Sequence, residues 1–228
     1  MRVRWLWAVV AVLGIANYLN NVALAGAYPW ISVLEVLVLL LLARAAGLTF
    51  DDLGLARGTW RRGIRWGLVA ALVVLVLYVV ALAVPAGRDA FLDQRAHLSV
   101  GGALYAALVS VPVGTVLLEE IGFRGVLWGM IFRLRGPVWA TVVSSVLFGV
   151  WHVLPSVGLG GNNRVVGEVY GSAAWLVTLS AVLATVLAGM VLAVLRWRSG
   201  SLLAPVGLHW ATNGLGYLVG AAIWAISG

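Results

Sequence analysis

Long apolar stretches are the feature that most restricts what this chain can fold into. A helix of about 20 predominantly apolar residues crosses a bilayer core about 30 Å thick. Hydrophobic residues make up 63% of the chain and charged residues only 10%, which is too few charges to cover a water-facing surface. This composition excludes a soluble globular enzyme. The absence of cysteine excludes a disulfide-stapled module and a cysteine-based catalytic or metal site. We therefore predict an all-α, polytopic membrane protein.

The apolar stretches divide into seven candidate transmembrane helices, with no soluble domain between them. We therefore predict a single integral-membrane domain over residues 1–228. The candidate helices are Trp5–Gly26, Ile31–Ala46, Ile64–Val84, Val100–Phe132, Pro137–Val153, Ser172–Leu195 and Ser201–Ile226.

The distribution of positive charge predicts the orientation of the chain in the membrane. The net charge of +7 comes from arginine alone, because the chain contains no lysine. If the seven helices alternate in direction, eleven of the 15 arginines fall on one side, three on the other, and Arg124 within a helix. The positive-inside rule then places the N-terminus in the cytoplasm and the C-terminus outside a cell membrane. The eleven are Arg2, Arg4, Arg44, Arg57, Arg61, Arg62, Arg65, Arg133, Arg135, Arg196 and Arg198, and the three are Arg88, Arg95 and Arg164.

The N-terminal stretch also fits a second interpretation. Two arginines, the apolar run Trp5–Ala16 and the small residues at Ala23–Ala27 together have the pattern of a cleaved signal peptide. Asn17 interrupts the apolar run, and no soluble domain that would need export follows it. We therefore favour a transmembrane helix, and cleavage stays open.

The connection Gly47–Arg65 is amphipathic. We interpret it as an interfacial connector, with Leu53 and Leu55 against lipid and its arginines at anionic headgroups. A specific binding site is the less favoured interpretation, because basic segments of this kind are common beside membrane helices.

Ionisable residues within membrane helices are costly and therefore indicate function. The fourth candidate helix contains the sequence LLEEIGFRG. Glu120 and Arg124 are four residues apart and can pair on one helix face, and such a pair could serve only to lock helix packing. Glu119 projects about 100° away from Glu120 and has no partner in its own helix. We therefore interpret Glu119 as the carboxylate that is free for chemistry.

A histidine in the fifth candidate helix lies at the depth of Glu119. Phe148 and His152 share a face of this helix at a spacing of four residues. If the chain turns at Arg135, Glu119 is 16 residues before the turn and His152 is 17 after it. Both then lie about 24 Å from the turn, at a rise of 1.5 Å per residue. A buried glutamate beside a histidine is suited to general-base catalysis.

The seventh candidate helix contributes His209 and Asn213, again four residues apart. Together they could donate hydrogen bonds to a developing oxyanion, or they could bond only each other and the nearby backbone. His209 is nine residues from Gly200 and therefore shallower than the other candidates. We accordingly expect the fourth and fifth helices to project into the cytoplasm as a long hairpin, so that the cavity opens toward the cytoplasmic leaflet. Glu35 lies four residues into its helix, and we expect it to be solvated at the interface.

Taken in chain order, the three constellations resemble a known family. They are Glu119-Glu120-x-x-x-Arg124, Phe148-x-x-x-His152 and His209-x-x-x-Asn213, each within an apolar stretch. This pattern resembles the CPBP family of intramembrane proteases, named for CAAX-prenyl-protein processing and bacteriocin processing and also called the ABI family. The segments SGSLLAPVGLHWATN and LTFDDLGL are similar to the family as well, and the matching catalytic core covers about residues 100–216.

The resemblance implies peptide-bond hydrolysis within or near the membrane, at a site framed by the fourth, fifth and seventh helices. It implies that Glu119 and His152 activate water and that His209 and Asn213 stabilise the oxyanion. The residues with a supporting role are Glu120, Arg124 and Phe148.

Two versions of this chemistry stay open. Glu119, His152 and His209 could hold Zn²⁺ with a fourth position left for water. The chain has no H-E-x-x-H motif, and these ligands come from three separate helices. Catalysis by glutamate-activated water without a tightly bound metal is equally compatible with the residues.

Other functions fit the sequence less well. A catalytically idle membrane adaptor or bacteriocin-immunity protein of the same fold is the main alternative, and the complete set of catalytic residue types argues against it. A transporter would need further charged residues across the bilayer, and the other helices lack them. The expected partners are the lipid bilayer and a peptide or membrane-protein substrate, and no motif indicates nucleic acid. A prenylated CAAX peptide, a bacteriocin leader and another membrane protein stay open as substrates.

Overall fold

The computed structural model of the protein describes residues 3–171 and 173–227, apart from the side chain of Arg164. Of the residues used in the sequence predictions, Arg2 and Ser172 lie outside the described residues. Within them the fold is all-α, as predicted, and extended pairing is limited to one isolated bridge between Asp93 and Asn163.

The helices are labelled α1 to α10 in chain order. Helices α1 to α5 span Val3–Tyr18, Trp30–Ala45, Phe50–Leu53, Trp60–Leu82 and Pro85–Ala90, and the π-helical turn Leu19–Ala23 extends α1. Helix α6 spans Val100–Trp151, and α7 to α9 span Leu159–Asn162, Arg164–Tyr170 and Ala174–Ser199. Helix α10 consists of Leu203–Trp210, the π-helical turn Ala211–Leu215 and Gly216–Ser227. Short 3₁₀ turns lie at Ala25–Ala27, Arg57–Thr59 and Gln94–Ala96.

Helix α6 departs from α-helical geometry on both sides of the predicted catalytic glutamate. The segments Ala106–Val116 and Glu120–Leu127 are π-helical and flank the α-helical turn Leu117–Glu119. Pro112 lies within the first π-helical segment, and its missing N–H removes a helical hydrogen bond there. Because a π-helical turn contains more residues than an α-helical one, it changes which side chains share a face.

Helix α6 bends sharply at Gly136, where φ is 80° and ψ is −177°. This positive φ is readily adopted only by glycine, and Pro137 follows it. The bend divides α6 into a first arm, residues 100–135, and a second arm, residues 137–151. It lies at the position predicted for the turn between the fourth and fifth candidate helices.

The first arm of α6 runs through the centre of the molecule. Every residue from 118 to 131 is buried, which is the pattern of a helix that is surrounded by other helices. Val9 and Leu13 of α1 and Leu39 of α2 belong to the hydrophobic core that packs around it. By contrast, leucines and valines of α4 are exposed, as expected of a helix that faces lipid.

Four segments of the described chain are long and apolar enough to cross a membrane. They are Val3–Ala23, Phe50–Leu82, Val100–Trp151 and Ala174–Ser199. The chain is therefore a multi-pass membrane protein. The bend at Gly136 makes the third of these segments correspond to two of the predicted helices. Helix α2 is only 16 residues long, or about 24 Å.

Helices α4 and α10 cross at very close range. A Cβ atom on Gly207 of α10 would lie 2.7 Å from the Cα atom of Gly67 on α4, and a Cβ atom on Gly67 would lie 3.0 Å from the carbonyl oxygen of Leu203. Small residues at such a crossing let two helix backbones approach within a membrane. This crossing fixes the position of α10, which carries two of the predicted site residues.

Arginine side chains hold together one end of the helix bundle, here called the basic end. It consists of the connection 46–59, the bend at Gly136 and the connection 199–202. Arg133 donates to Oδ1 of Asp52 at 2.7 Å and to the carbonyl oxygen of Gly47 at 2.8 Å. Arg196 is buried, donates to the carbonyl oxygen of Asp52 at 3.0 Å and lies 5.1 Å from the ring centroid of Trp128.

These contacts correct the prediction that Leu53 and Leu55 face lipid. Leu53 is only 6% exposed and belongs to the hydrophobic core, and Leu55 packs against that core. Thr49 and Asp52 form a capping box at the start of α3, which satisfies its free N–H groups. The chain then returns to the bundle, where the backbone N–H of Leu202 donates to the carbonyl oxygen of Gly54 at 2.8 Å.

The opposite end of the bundle, here called the cavity end, consists of the connections 19–29, 83–99 and 152–171. The connection 83–99 is tied down by two side chains. Asn163 donates to the carbonyl oxygen of Ala90 at 3.0 Å, and Trp224 of α10 donates to the carbonyl oxygen of Asp93 at 2.9 Å. The space beneath this connection contains the candidate site.

Candidate active site

A cavity of about 800 Å³ lies at the cavity end of the bundle. Its wall is built from α1, α4, α6 and α10 and from the connections that cover them. Three of the predicted site residues line it, namely Glu119, His152 and Asn213. A pocket of this size, lined by apolar groups with a few converging polar ones, is typical of a ligand site.

Glu119 has one engaged and one unengaged carboxylate oxygen. Its Oε1 accepts a hydrogen bond from Nε1 of Trp151 at 3.2 Å. Among the described residues, its Oε2 has no hydrogen-bond partner although it is buried. Nε2 of His209 lies 3.7 Å from Oε2, which is beyond hydrogen-bond distance. Because buried polar atoms are normally satisfied, this oxygen is suited to hold a water molecule or a substrate group.

Glu120, by contrast, lies in a dense polar cluster behind the cavity wall. Its Oε1 accepts from Nη1 of Arg124 at 3.1 Å and lies 2.8 Å from Nδ1 of His209. Glu120 and Arg124 are both essentially unexposed. The predicted pairing of Glu120 with Arg124 is therefore present in the structure. Such a buried pair is costly to break, because either partner alone would be an uncompensated charge.

Phe148 connects this cluster to His152. The guanidinium carbon of Arg124 lies 3.8 Å from the centroid of the Phe148 ring, a cation–π contact. The ring of His152 packs edge-on to Phe148 at 4.6 Å between centroids. Nδ1 of His152 is 2.8 Å from the carbonyl oxygen of Phe148, so the neutral ring carries its proton on Nδ1. This tautomer leaves Nε2 of His152 as an acceptor.

The structure places the predicted residues of the seventh helix in two environments. Asn213 lies on the cavity wall within the π-helical turn Ala211–Leu215. His209 lies behind that wall, 94% buried, between Glu119 and Glu120. Unlike Asn213, His209 does not line the cavity.

The arrangement does not fit a preformed zinc site. Among the described residues, no three histidine, aspartate or glutamate side chains converge as a ligand set. Nδ1 of His209 lies 2.8 Å from Oε1 of Glu120. Its Nε2 is 3.7 Å from Oε2 of Glu119, close to the separation of two ligands of one zinc ion, but among the described residues no third ligand converges with them. We therefore derive the chemistry from the side chains alone.

Trp151 is a site residue that the sequence predictions missed. It lines the cavity beside His152, and its indole N–H is the donor to Glu119. Its own carbonyl oxygen accepts from Nδ2 of Asn17 at 2.9 Å, which ties this position to α1. A tryptophan directly before the motif histidine was the available signal, since a buried indole N–H needs an acceptor.

The structure corrects the prediction that Glu35 is solvated at the interface. Glu35 is only 7% exposed. Its Oε2 accepts from Nδ2 of Asn20 at 2.6 Å, and Oδ1 of Asn20 accepts from Ser32 at 3.2 Å. Asn20 also lines the cavity. Glu35 therefore supports the cavity wall from behind.

The mouth of the cavity carries an ion pair that lies outside the membrane-spanning segments. Arg95 donates to both carboxylate oxygens of Asp93, at 2.8 and 2.9 Å. Burial alone would raise the pKa of Asp93, but the hydrogen bonds and the charge of Arg95 outweigh it and hold this pKa below its ordinary value. Farther along the wall, burial raises the pKa of Tyr28 to about 12.

The position of the cavity corrects the expectation that it opens toward the basic, cytoplasmic side. Exposed wall residues such as Asn21, Arg95 and Leu98 belong to the connections of the cavity end. The expectation explained the shallow position of His209 by a projecting hairpin of the fourth and fifth helices, whereas α10 itself begins beneath the α3 connection, at the Leu202–Gly54 hydrogen bond. The mouth is therefore at the end with few arginines.

Comparison with known proteins supports the resemblance inferred from the sequence. A family model described as type II CAAX prenyl endopeptidase Rce1-like matches residues 101–215. This match covers half of the chain and includes every predicted site residue. No curated protein and no solved structure matches the chain. The family predicted from the three motifs is thereby confirmed.

Proposed function

Because the chain belongs to the type II CAAX prenyl endopeptidase Rce1-like family, a family of proteases, we propose that it is an intramembrane endopeptidase. Its substrate is a membrane-associated or lipidated peptide or protein. The single observation that carries this proposal is Glu119, whose Oε2 is buried, unpartnered among the described residues and part of a cavity wall.

In the proposed mechanism Glu119 acts as the general base. The Trp151 N–H fixes Oε1 of Glu119, so Oε2 is left to accept a proton from a water molecule. The water oxygen forms a bond to the carbonyl carbon of the substrate, and the peptide C–N bond breaks as the proton passes from Glu119 to the leaving nitrogen. Nε2 of His152 accepts a hydrogen bond from the same water and orients it.

Asn213 is proposed to stabilise the oxyanion, because its amide lies on the cavity wall. A fixed N–H donor in a water-poor site favours the charge that develops on the carbonyl oxygen. For His209 the geometry supports a role through Glu119 rather than a direct contact with the oxyanion. The His209 ring lies 2.8 Å from Glu120 and 3.7 Å from Glu119, so it is suited to limit the positions that the Glu119 carboxylate can take.

Glu120, Arg124 and Phe148 are proposed to support the site. Arg124 balances the charge of Glu120, so that Glu119 remains the one carboxylate of the cluster without a fixed arginine partner. Phe148 packs between Arg124 and His152 and sets the position of the histidine ring. These contacts hold Arg124 on the first arm of α6 against Phe148 and His152 at the end of its second arm.

The remaining parts of the proposal concern the topology. We propose seven transmembrane helices, with the two arms of α6 as the fourth and fifth and α10 as the seventh. Eleven of the 15 arginines lie at the start of the first helix or around the connections that lead into the third, fifth and seventh helices, and all of these fall on one side of the membrane. The N-terminus is then cytoplasmic and the C-terminus outside. The catalytic core is residues 100–216 of a single domain.

The proposed activity is tested by cleavage of candidate peptides with purified protein in detergent. Glu119→Gln is expected to lower the rate by a factor of about 10² to 10⁴, as removal of a positioned general base does. Glu35→Gln is the matched control, because Glu35 is also a buried carboxylate near the cavity but does not line it. A zinc chelator in the same assay is expected to change the rate by less than about twofold, since no ligand set is preformed.

The same assay separates the protease from an idle adaptor of the same fold. Equal cleavage by the wild type and Glu119→Gln would remove Glu119 from the chemistry. Tight binding of a peptide by both proteins, with no cleavage by either across the candidate peptides, would instead favour the adaptor.

A further inference from the structure

A hydroxyl group on α4 contacts the backbone that carries Asn213. Oη of Tyr78 donates a hydrogen bond to the carbonyl oxygen of Thr212 at 2.7 Å. This carbonyl belongs to the peptide group that joins Thr212 to Asn213. We propose that Tyr78 is a positioning residue of the active site, which acts through Asn213 and sets the direction of its side chain. This inference rests on the proposed protease function and adds a residue to its oxyanion site.

The segment that Tyr78 contacts has an unusual backbone. Asn213 lies in the π-helical turn Ala211–Leu215, between the two α-helical parts of α10. Turns of this kind are rare in proteins and lie frequently at functional sites. Here the hydroxyl of Thr212 donates to the carbonyl oxygen of His209 at 2.8 Å, while the carbonyl oxygen of Thr212 accepts from Tyr78. The turn is therefore held both from within α10 and from α4.

Tyr78 is itself held in place by its surroundings. Its ring packs edge-on against Phe91, with 5.0 Å between the ring centroids. Helix α4 is joined to α10 by the close crossing of Gly67 and Gly207, which fixes its position relative to the turn. A donor on a packed ring can hold a neighbouring group within the narrow tolerance that a catalytic site requires. The Tyr78 hydroxyl is therefore suited to fix the Thr212 carbonyl.

A fixed direction is what the proposed role of Asn213 requires. An oxyanion donor stabilises the transition state only if it already points to the position where the charge develops. Among the described residues, the side chain of Asn213 makes no hydrogen bond, so its direction depends on the backbone that carries it. Tyr78, Thr212 and Asn213 all line the cavity. Loss of the Tyr78 hydroxyl is therefore expected to weaken the transition state and not substrate binding.

The proposal is tested first by the cleavage kinetics of Tyr78→Phe. The substitution removes the hydroxyl and keeps the ring that packs against Phe91. We expect kcat per folded molecule to fall about fivefold, with KM within about twofold of the wild type, because an oriented donor acts only in the transition state. A kcat equal to that of the wild type, or a rise in KM alone, would overturn the proposal.

Tyr170→Phe is the matched control for this substitution. Tyr170 donates to Oγ of Ser180 at 2.9 Å and lies outside the cavity wall. Both variants lose one hydroxyl and its hydrogen bond, so we expect similar losses of unfolding free energy. Tyr170→Phe is expected to leave kcat within about twofold of the wild type. An equal fall of kcat in both variants would mean a general effect on the fold and would overturn the positioning role.

Two double mutants show whether Tyr78 acts through Asn213. In the Asn213→Ala background, Tyr78→Phe is expected to lower the residual kcat by less than about twofold, because the group it orients is absent. In the Trp151→Phe background it is expected to keep its full effect of about fivefold, since Trp151 bonds Glu119 and shares no hydrogen-bond partner with Tyr78. A fivefold loss in both backgrounds would overturn the proposal.

Hydrogen exchange in detergent gives a measurement that does not depend on catalysis. Tyr78→Phe is expected to raise the exchange rate of the backbone amides of residues 211–217 about fivefold, because the turn opens more easily without its external donor. Tyr170→Phe is expected to leave the exchange of this segment unchanged. Equal exchange in Tyr78→Phe and the wild type would show that the hydroxyl does not hold the turn and would overturn the proposal.

Glu119→Gln separates a failure of the inference from a failure of the proposed function. If the wild type cleaves faster than Glu119→Gln, while Tyr78→Phe equals the wild type in kcat and in hydrogen exchange, the protease function stands and the role of Tyr78 fails. If the wild type and Glu119→Gln cleave equally, the protease function fails, and the catalytic role of Tyr78 fails with it.

Discussion

The two ends of this molecule treat polar groups in opposite ways. At the basic end, Arg133 and Arg196 are used to bind the connection after α2 to the bundle. At the cavity end, the side chains surround an open volume of about 800 Å³, and Oε2 of Glu119 has no hydrogen-bond partner among the described residues. The comparison suggests a division of labour: stability depends on the first end, and activity on the second.

The two ends differ because the basic end excludes water, whereas the cavity end must admit a water molecule and a substrate. A closed end gains stability from every satisfied donor and acceptor. A site for hydrolysis needs a water molecule and an acceptor that is left available for it, so it cannot be fully satisfied. The division predicts that substitutions at the two ends separate stability from catalysis.

The largest effect on stability is expected from Arg196→Ala. The substitution leaves the carbonyl oxygen of Asp52 without its Arg196 donor, removes one of the two donors to the carbonyl oxygen of Asp51, and opens a cavity against Trp128. Together these losses cost about 3 kcal/mol of unfolding free energy. Unfolding in a denaturing detergent measures this loss, and activity per folded molecule is expected to change by less than about twofold.

Arg198→Ala is the matched control, because Arg198 lies two residues away on the same helix and is exposed. It is expected to leave the unfolding free energy within about 0.5 kcal/mol of the wild type. Equal losses in both variants would mean that the Arg196 contacts do not hold the basic end.

Trp151→Phe is expected to lower activity with little change in stability, which is the converse of Arg196→Ala. It removes the N–H that fixes Glu119 but keeps most of the aromatic packing against Phe123. We expect kcat to fall about tenfold, or about 1.4 kcal/mol, with little change in KM, because the lost hydrogen bond orients a reacting group. Kinetics on one cleaved peptide measures both constants.

A double-mutant cycle shows whether Trp151 acts through Glu119. In the Glu119→Gln background, Trp151→Phe is expected to lower the residual rate by much less than tenfold, since the group it positions is already altered. Trp128→Phe serves as a control, because its N–H bonds Thr141 at 3.4 Å, away from the cavity. A rise in KM with kcat unchanged would indicate substrate binding instead of positioning.

Much of the fold and part of the site were predictable from the sequence. The apolar stretches predicted an all-α membrane protein, and the spacing of Glu120 and Arg124 predicted their ion pair. The turn between the arms of α6 was predictable because Gly136 and Pro137 interrupt an apolar run. Each of these features depends on residues that are close together in the sequence.

The rest depended on contacts between distant segments. The burial of Glu35 requires Asn20 of the π-helical turn after α1, and the partner of Trp151 lies 32 residues away. The spacing argument placed His209 and Asn213 on one face of an α-helix, whereas Asn213 lies in a π-helical turn and it alone of the two lines the cavity. The number of residues between a helix end and a site residue could not predict the end at which the cavity opens, because α10 starts deep beneath the α3 connection.

The smallest expected effect concerns the ion pair at the cavity mouth and its dependence on pH. The pKa of Asp93 is held below its ordinary value: burial opposes this, and the hydrogen bonds and charge of Arg95 outweigh it. A carboxyl whose pKa is lower in the folded state stabilises the fold fully above its unfolded pKa, about 3.9, and this contribution is lost as the pH falls through the folded pKa. Because Arg95 is 51% exposed, the contribution is at most about 1 kcal/mol.

Thermal unfolding in detergent between pH 6 and pH 2 measures this contribution, as the difference between the wild type and Asp93→Asn. The difference is expected to be largest at the upper end of this range and to vanish toward the lower end, where the wild-type carboxyl is also neutral. Arg95→Gln removes the same pair from the other side and is expected to give the same convergence. Since both residues lie at the rim and not on the closed basic end, a difference above about 2 kcal/mol would contradict the division between the two ends.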